Sequence, residues 1–168
     1  MRPYRLALTL TNPLGVMNKY GGGLEYRFRN VSYMYTYYKY ICAYSGTSMD
    51  LDIRVYLRKI RRVNYSKWTY QNFLYTRGIL GDAAFEGPNL TVLGYSNPLS
   101  LPEHLYVGGA AGFGRRYSKG ILFATVRAGL RGCVLPDISE EDKDYYRIFY
   151  ATGPGSILEL NFQFGIQI

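Results

Sequence analysis

The chain is poor in the residues that carry most metal and redox chemistry, with one His and two Cys in 168 residues. Cys42 and Cys133 are too few for a disulfide scaffold and lack metal-ligand spacing, so no metal or other cofactor is expected. Free thiols are the favoured reading, since each lies near the end of a strand and the two strands are far apart around a barrel, and one bridge in an oxidising compartment is the alternative. Long hydrophobic runs are missing too. No stretch reaches the roughly 18 apolar residues of a transmembrane helix, so this chain can enter a membrane only as a barrel. Met1 to Leu10 has no long apolar stretch of the signal-peptide kind, and the numbering is taken as that of a mature chain. Acidic residues are scarce, with 12 Asp and Glu against 20 Lys and Arg, a net charge of +8. A basic excess is the footprint of phosphate binding, but many of these Arg residues fall at alternating strand positions beside Asp and Glu. That placement suits internal ion pairs, and nucleic acid is not an expected partner. Arg58, Lys59, Arg61, Arg62 and Lys67 instead crowd one connection, where they face anionic lipid, a partner or plain solvent.

What the chain does have is aromatic residues at 17%, among them 19 Tyr, together with 19 Gly, a profile of sheets and not of helical bundles. One domain, 1–168, is expected from the length.

Ser156 to Ile168 gives the clearest pattern. Leu158, Leu160, Phe162, Phe164, Ile166 and Ile168 alternate with Glu159, Asn161, Gln163, Gly165 and Gln167, a period of two without exception. Met49 to Lys59 repeats it, with Met49, Leu51, Ile53, Val55 and Leu57 opposite Asp50, Asp52, Arg54, Tyr56 and Arg58. The same reading makes strands of Arg5 to Thr11, Gly22 to Arg29 and Ile121 to Cys133, and, with less evident facing, of Val31 to Tyr44, Asn72 to Phe85 and Leu105 to Tyr117. The predicted fold is therefore all-β, an eight-stranded antiparallel up-and-down transmembrane β-barrel.

The connections alternate in length. Arg29-Asn30 and Ser118 to Gly120 suit tight turns, whereas Asn12 to Gly21, Gly87 to His104 and the acidic Val134 to Gly155 are long. Short turns on one side and long loops on the other are the outer-membrane habit. Two connections depart from it: Ser45 to Ser48 is short on the loop side, and Ile60 to Gln71 is long on the turn side.

Alternation alone leaves open which face is inside. With the polar face inward, Glu25, Arg27, Arg29, Asp50, Asp52, Arg54, Arg58, Arg127, Arg131 and Glu159 form a hydrogen-bonded lumen network. With the apolar face inward, the same residues coat a soluble, lipocalin-like ligand-binding barrel. The membrane alternative is favoured by small residues on the apolar faces (Gly109, Ala111, Ala124, Ala128), which lipid accepts without a void. It is favoured also by aromatic residues toward strand ends, Tyr4, Tyr20, Trp68, Tyr70 and Tyr117, as in an interfacial girdle.

The run Asn12-Pro13-Leu14-Gly15, then Gly22-Gly23-Leu24-Glu25-Tyr26, then Tyr106 to Gly114 and the terminal alternating strand resembles small Bacteroidota outer-membrane β-barrel proteins of uncharacterised function, whose architecture is that of the OmpA and OmpX barrels. The resemblance implies a Gram-negative outer membrane, lipid partners including lipopolysaccharide, and no catalytic residue. Ile168 departs from the aromatic ending common in such barrels.

Catalysis has little material. His104 beside Glu103, with Ser100 or Tyr106, is the one candidate base, for a lipid-modifying enzyme, and the simpler reading is a polar rim residue. The glycines of Gly108 to Gly114 lack the Lys-Ser or Lys-Thr of a phosphate-binding loop and are read as lumen-facing space for bulky neighbours. The expected role is non-catalytic, as a structural element or an accessory subunit of a larger envelope complex. Tyr145, Tyr146, Phe149 and Tyr150 in the acidic segment form the candidate partner surface.

Overall fold

The structure is a computed structural model and describes residues 5–13, 19–41, 44–57, 59–63, 66–85, 101–134 and 157–168. Among these, nine strands occur and no helix: β1 (Leu6–Thr11), β2 (Lys19–Phe28), β3 (Val31–Tyr40), β4 (Tyr44–Tyr56), β5 (Arg61–Arg62), β6 (Thr69–Phe85), β7 (Leu101–Lys119), β8 (Leu122–Val134) and β9 (Leu158–Gln167). All pairings are antiparallel. Each long strand pairs with the strands before and after it, β1 pairs with β9, and β4 pairs with β6 across the two-residue β5. Eight strands thus close a barrel with no free edge, while β5 only extends the β6 hairpin.

Closure forces each strand to show one face inward and one outward. The apolar face is the outer one. Leu6, Leu8 and Leu10 of β1, Leu24, Tyr26 and Phe28 of β2, and Met49, Leu51, Ile53 and Val55 of β4 are all exposed, whereas Glu25, Asp50, Asp52 and Arg54 are buried. In β3 the tyrosines divide by parity, with Tyr33, Tyr35 and Tyr37 outward and Tyr38 and Tyr40 inward. This orientation overturns the lipocalin-like alternative, which requires the apolar face inside.

Several boundaries differ from those that turn-forming residues suggest. The fourth barrel strand runs from Tyr44 to Tyr56 and not from Met49 to Lys59, because Ser45 to Ser48 pair with Gly81 to Ala84 instead of forming a loop. Gly46 sits there at φ +116°, a conformation closed to other residues without strain. The connection to β3 is 41–43, so the strand expected to reach Tyr44 stops at Tyr40. β2 begins at Lys19, three residues before Gly22, and β7 begins at Leu101 and not at Leu105. The long connection Ile60 to Gln71 is partly strand, with Arg61 and Arg62 paired to Tyr70 and Thr69. The Arg29-Asn30 turn stands as expected, with Arg29 at φ 56°.

Space inside is shared between rings and glycines. Phe73 faces Gly114, Tyr106 faces Gly81 and Phe123 faces Gly165 across neighbouring strands. A Cβ on any of these glycines would strike its partner's ring or hydroxyl, and one on Gly129 would strike the Tyr75 hydroxyl. Outward Gly78, by contrast, has nothing within 4 Å of an added Cβ. Gly114→Val is therefore expected to overpack the interior by about 1–3 kcal/mol, while Gly78→Ala stays within ~0.5 kcal/mol of the parent. Urea unfolding midpoints of the two variants check this, and equal losses would show that the ring-against-glycine fit is not what limits the interior.

Candidate functional site in the polar interior of the barrel

Asp52 is the centre of the interior. Its position on β4 gives it an inward side chain, and three arginines converge on it, one from its own strand and two from β6 and β8. Arg77 of β6 donates Nε to Oδ1 at 2.5 Å, Arg54 donates Nη2 to Oδ2 at 3.0 Å, and Nη1 of Arg127 on β8 reaches the same Oδ2. Arg77 also pairs with Asp50 at 2.8 Å and Glu159 at 2.7 Å, so one guanidinium joins three carboxylates on β4 and β9. The fit suits arginine because its planar fork offers five donors.

Glu25 anchors a second group toward the end of the barrel with the short turns. It accepts from Ser32 at 2.6 Å, Tyr56 at 2.9 Å and Arg116 at 2.6 Å, with Arg54 Nη1 at 3.6 Å. Arg54 joins the two groups, and its Nη2 also reaches Gln163 at 2.9 Å. Tyr38 accepts from Arg127 at 3.1 Å and from Asn161 at 2.9 Å. Gln163 contacts Thr11 at 3.4 Å, so the polar contacts reach every one of the eight barrel strands.

Seven buried cations (Lys19, Arg27, Arg54, Arg77, Arg116, Arg127, Arg131) face four buried carboxylates (Glu25, Asp50, Asp52, Glu159) among the described residues. Aromatic faces offset part of the excess positive charge. Arg116 lies 3.5 Å from the Phe123 ring centroid, Arg27 3.9 Å from Tyr56 and Lys19 4.3 Å from Tyr38. Arg131 forms no ion pair among the described residues and donates Nε to the Cys133 sulfur at 3.3 Å.

Of the residues selected from the sequence, Glu25, Asp50, Asp52, Arg54, Arg127 and Glu159 meet in this network. Arg27 is buried at its edge and binds the Arg29 carbonyl at 2.9 Å and Gln71 at 3.0 Å. Arg29 itself is corrected, because it lies exposed in the β2–β3 turn and points its guanidinium over Phe28 and not into the lumen. Arg58, Tyr4, Cys42, Tyr145, Tyr146, Phe149 and Tyr150 lie outside the described residues. Cys133 is a free thiol. Tyr20 is exposed at the end with the long loops, while Trp68, Tyr70 and Tyr117 are half-buried at the opposite end, with Tyr70 and Tyr117 in tilted ring contact. His104 is half-buried and faces Ala83 across the β6–β7 pairing.

Sequence reasoning missed Lys19, Arg77 and Arg116. The signal for Arg77 was present but masked, since the inner face of β6 is Phe73, Tyr75, Arg77 and Ile79, while its outer face holds Thr76 and Gly78 beside Leu74 and Leu80. An aromatic inner face hides the polar-against-apolar contrast that periodicity detects.

A charged interior enclosed laterally by eight strands whose outer faces are apolar defines an inverted eight-stranded meander barrel. The fold is similar to the crystal structure of the N-terminal β-barrel domain of Pseudomonas aeruginosa OprF, with a TM-score of 0.60, 12% identity, and coverage of 97% of this chain and 95% of that one. No protein-family model matches the chain, and no curated protein does either.

Removing the central carboxylate leaves three guanidinium groups without their shared acceptor. Asp52→Asn is expected to lower stability by about 3–5 kcal/mol, as for breaking a buried pair, whereas Arg29→Gln in the exposed turn changes it by less than ~0.5 kcal/mol. Denaturant titration of both variants against the parent measures the contrast.

Proposed function

We propose that the chain is an integral outer-membrane β-barrel of a Gram-negative bacterium, without catalysis, acting as a structural element through its lipid-facing wall and its loops. One observation carries this reading: large apolar side chains are exposed around the whole wall, from Leu8 at 49% and Leu51 at 55% to Phe113 at 66% and Leu130 at 64%. Soluble monomers rarely expose contiguous apolar patches beyond a few hundred Å², and here every one of the eight barrel strands exposes large apolar side chains. In lipid the same belt is at no cost, and closure leaves no backbone edge unpaired.

The interior supports a plugged lumen. An eight-stranded barrel is just wide enough for side chains to fill, and here those side chains are joined to one another across the axis. The partners in this reading are outer-membrane lipids including lipopolysaccharide, with a larger outer-membrane complex as a further partner that would make the chain an accessory subunit.

In bilayer vesicles, Leu51→Arg places a charge in the middle of the outer face of β4 and is expected to cost about 2–4 kcal/mol of folding stability. A soluble barrel would accept the same change on its surface with little effect. Recovery of the folded chain from the aqueous phase without detergent overturns the membrane reading. Stepwise conductance well above background in planar bilayers overturns the plugged lumen.

A further inference from the structure

The end of the barrel that carries the short turns is basic without exception. Arg5 precedes β1, Arg29 lies in the β2–β3 turn, Lys59, Arg61, Arg62 and Lys67 lie between β4 and β6, Arg115 is on the outer face of β7, and Lys119 is beside the β7–β8 turn. All eight are exposed. The sequence holds no Asp or Glu in residues 1–24, 26–49, 53–81, 104–136 or 160–168, which include every segment of this end. The acidic residues among the described ones lie instead in the lumen (Glu25, Asp50, Asp52, Glu159) or toward the opposite end (Asp82, Glu103), and the other six lie outside the described residues.

Three features narrow what such a surface fits. The cations are spread over every connection of this end and so form a ring around the circumference, not a patch on one side. The ring borders the apolar wall directly. Aromatic side chains interleave with it, with Arg115 4.5 Å from the Tyr70 ring centroid and Tyr117 beside Tyr70. A compact polyanion or an acidic protein would engage one sector of the ring. A plane of phosphates at the edge of a hydrocarbon layer engages all of it, and interleaved aromatic rings and long cationic side chains are the groups that settle at that boundary.

We infer that this ring is a docking surface for the phosphate headgroups of anionic phospholipids, which it gathers around one end of the barrel. The inference rests on the membrane reading above. Each Lys or Arg close to an anionic lipid surface is drawn to its phosphates, and the attraction decays within a Debye length. The ring would therefore enrich anionic lipid locally and fix the height of the barrel in the bilayer.

Trp68, the single tryptophan, lies within the ring between Lys67 and Tyr70 and reports on its lipid neighbours. The full chain is reconstituted in vesicles of equal parts phosphatidylcholine and phosphatidylglycerol, with bromine carried near the head of the acyl chains of one lipid or the other. Brominated phosphatidylglycerol is expected to quench Trp68 as though enriched about threefold over its bulk fraction, an advantage that shrinks at high salt. The triple variant R61Q/R62Q/K67Q is expected to lose most of that advantage. Equal quenching by the two lipids overturns the inference while leaving insertion intact, and so does an advantage that survives both salt and the triple variant. Equal quenching together with retention of the chain on a polyanion column would assign the ring to a soluble acidic polymer. No quenching by either lipid overturns the membrane reading itself. The wild-type salt series stands even if the triple variant fails to fold.

Discussion

Asp52 and the arginines around it are the constraint on which the rest of the interior depends. A guanidinium or carboxylate removed from water is tolerated only when paired and hydrogen-bonded, and a half-satisfied network is worse than an apolar core. Arg54, Arg77 and Arg127 all meet Asp52, and each continues to another carboxylate or amide, so the strands that carry them are held at one register and one circumference. A slip of one residue in any strand that carries one of these charges would turn that side chain outward and an outward one inward. The ion pairs thus act as a specification of register more than as a source of net stability.

The rings and glycines solve the volume problem that the charges create. Arginine chains crossing a narrow barrel leave gaps near the wall, and Phe73, Tyr75, Tyr106 and Phe123 fill them by lying over positions without a Cβ. The same rings present faces to the surplus cations, as Phe123 does to Arg116 and Tyr75 to Arg127 at 5.2 Å. Glycine lowers strand stability when nothing replaces its missing side chain, and here a cross-strand ring takes that place. The structure is therefore consistent at both levels, since the groups that fill space also lessen the cost of unpaired charge.

The outer surface follows from the inner one. Once closure assigns the charged residues to the interior, period two places Leu, Tyr, Phe and Val on the wall, and the remaining charge is confined to the ends. The separation of the basic turn end from Asp82 and Glu103 toward the other gives the barrel an electrostatic direction along its axis.

The alternating strands were legible from residues alone, because facing in a strand is local and repeats every second position. β9 and the second half of β4 show this, each alternating apolar residues with more polar ones at every second position. The turn at Arg29-Asn30 was equally local. Ser45 to Ser48 misled because small polar residues favour turns only when no neighbouring strand takes up their backbone groups, and here β6 does. Arg77 and Arg116 were hidden by aromatic and glycine neighbours on their own inner faces. What the sequence determined by itself is a set of two-faced strands with the residues that share each face. Which face is inside, and which charges meet, was decided by closure, because Arg54 and Gln163 stand 109 positions apart and Arg116 and Glu25 stand 91 apart. Only the joining of β1 to β9 brings such distant groups to one axis, and no local period encodes that contact.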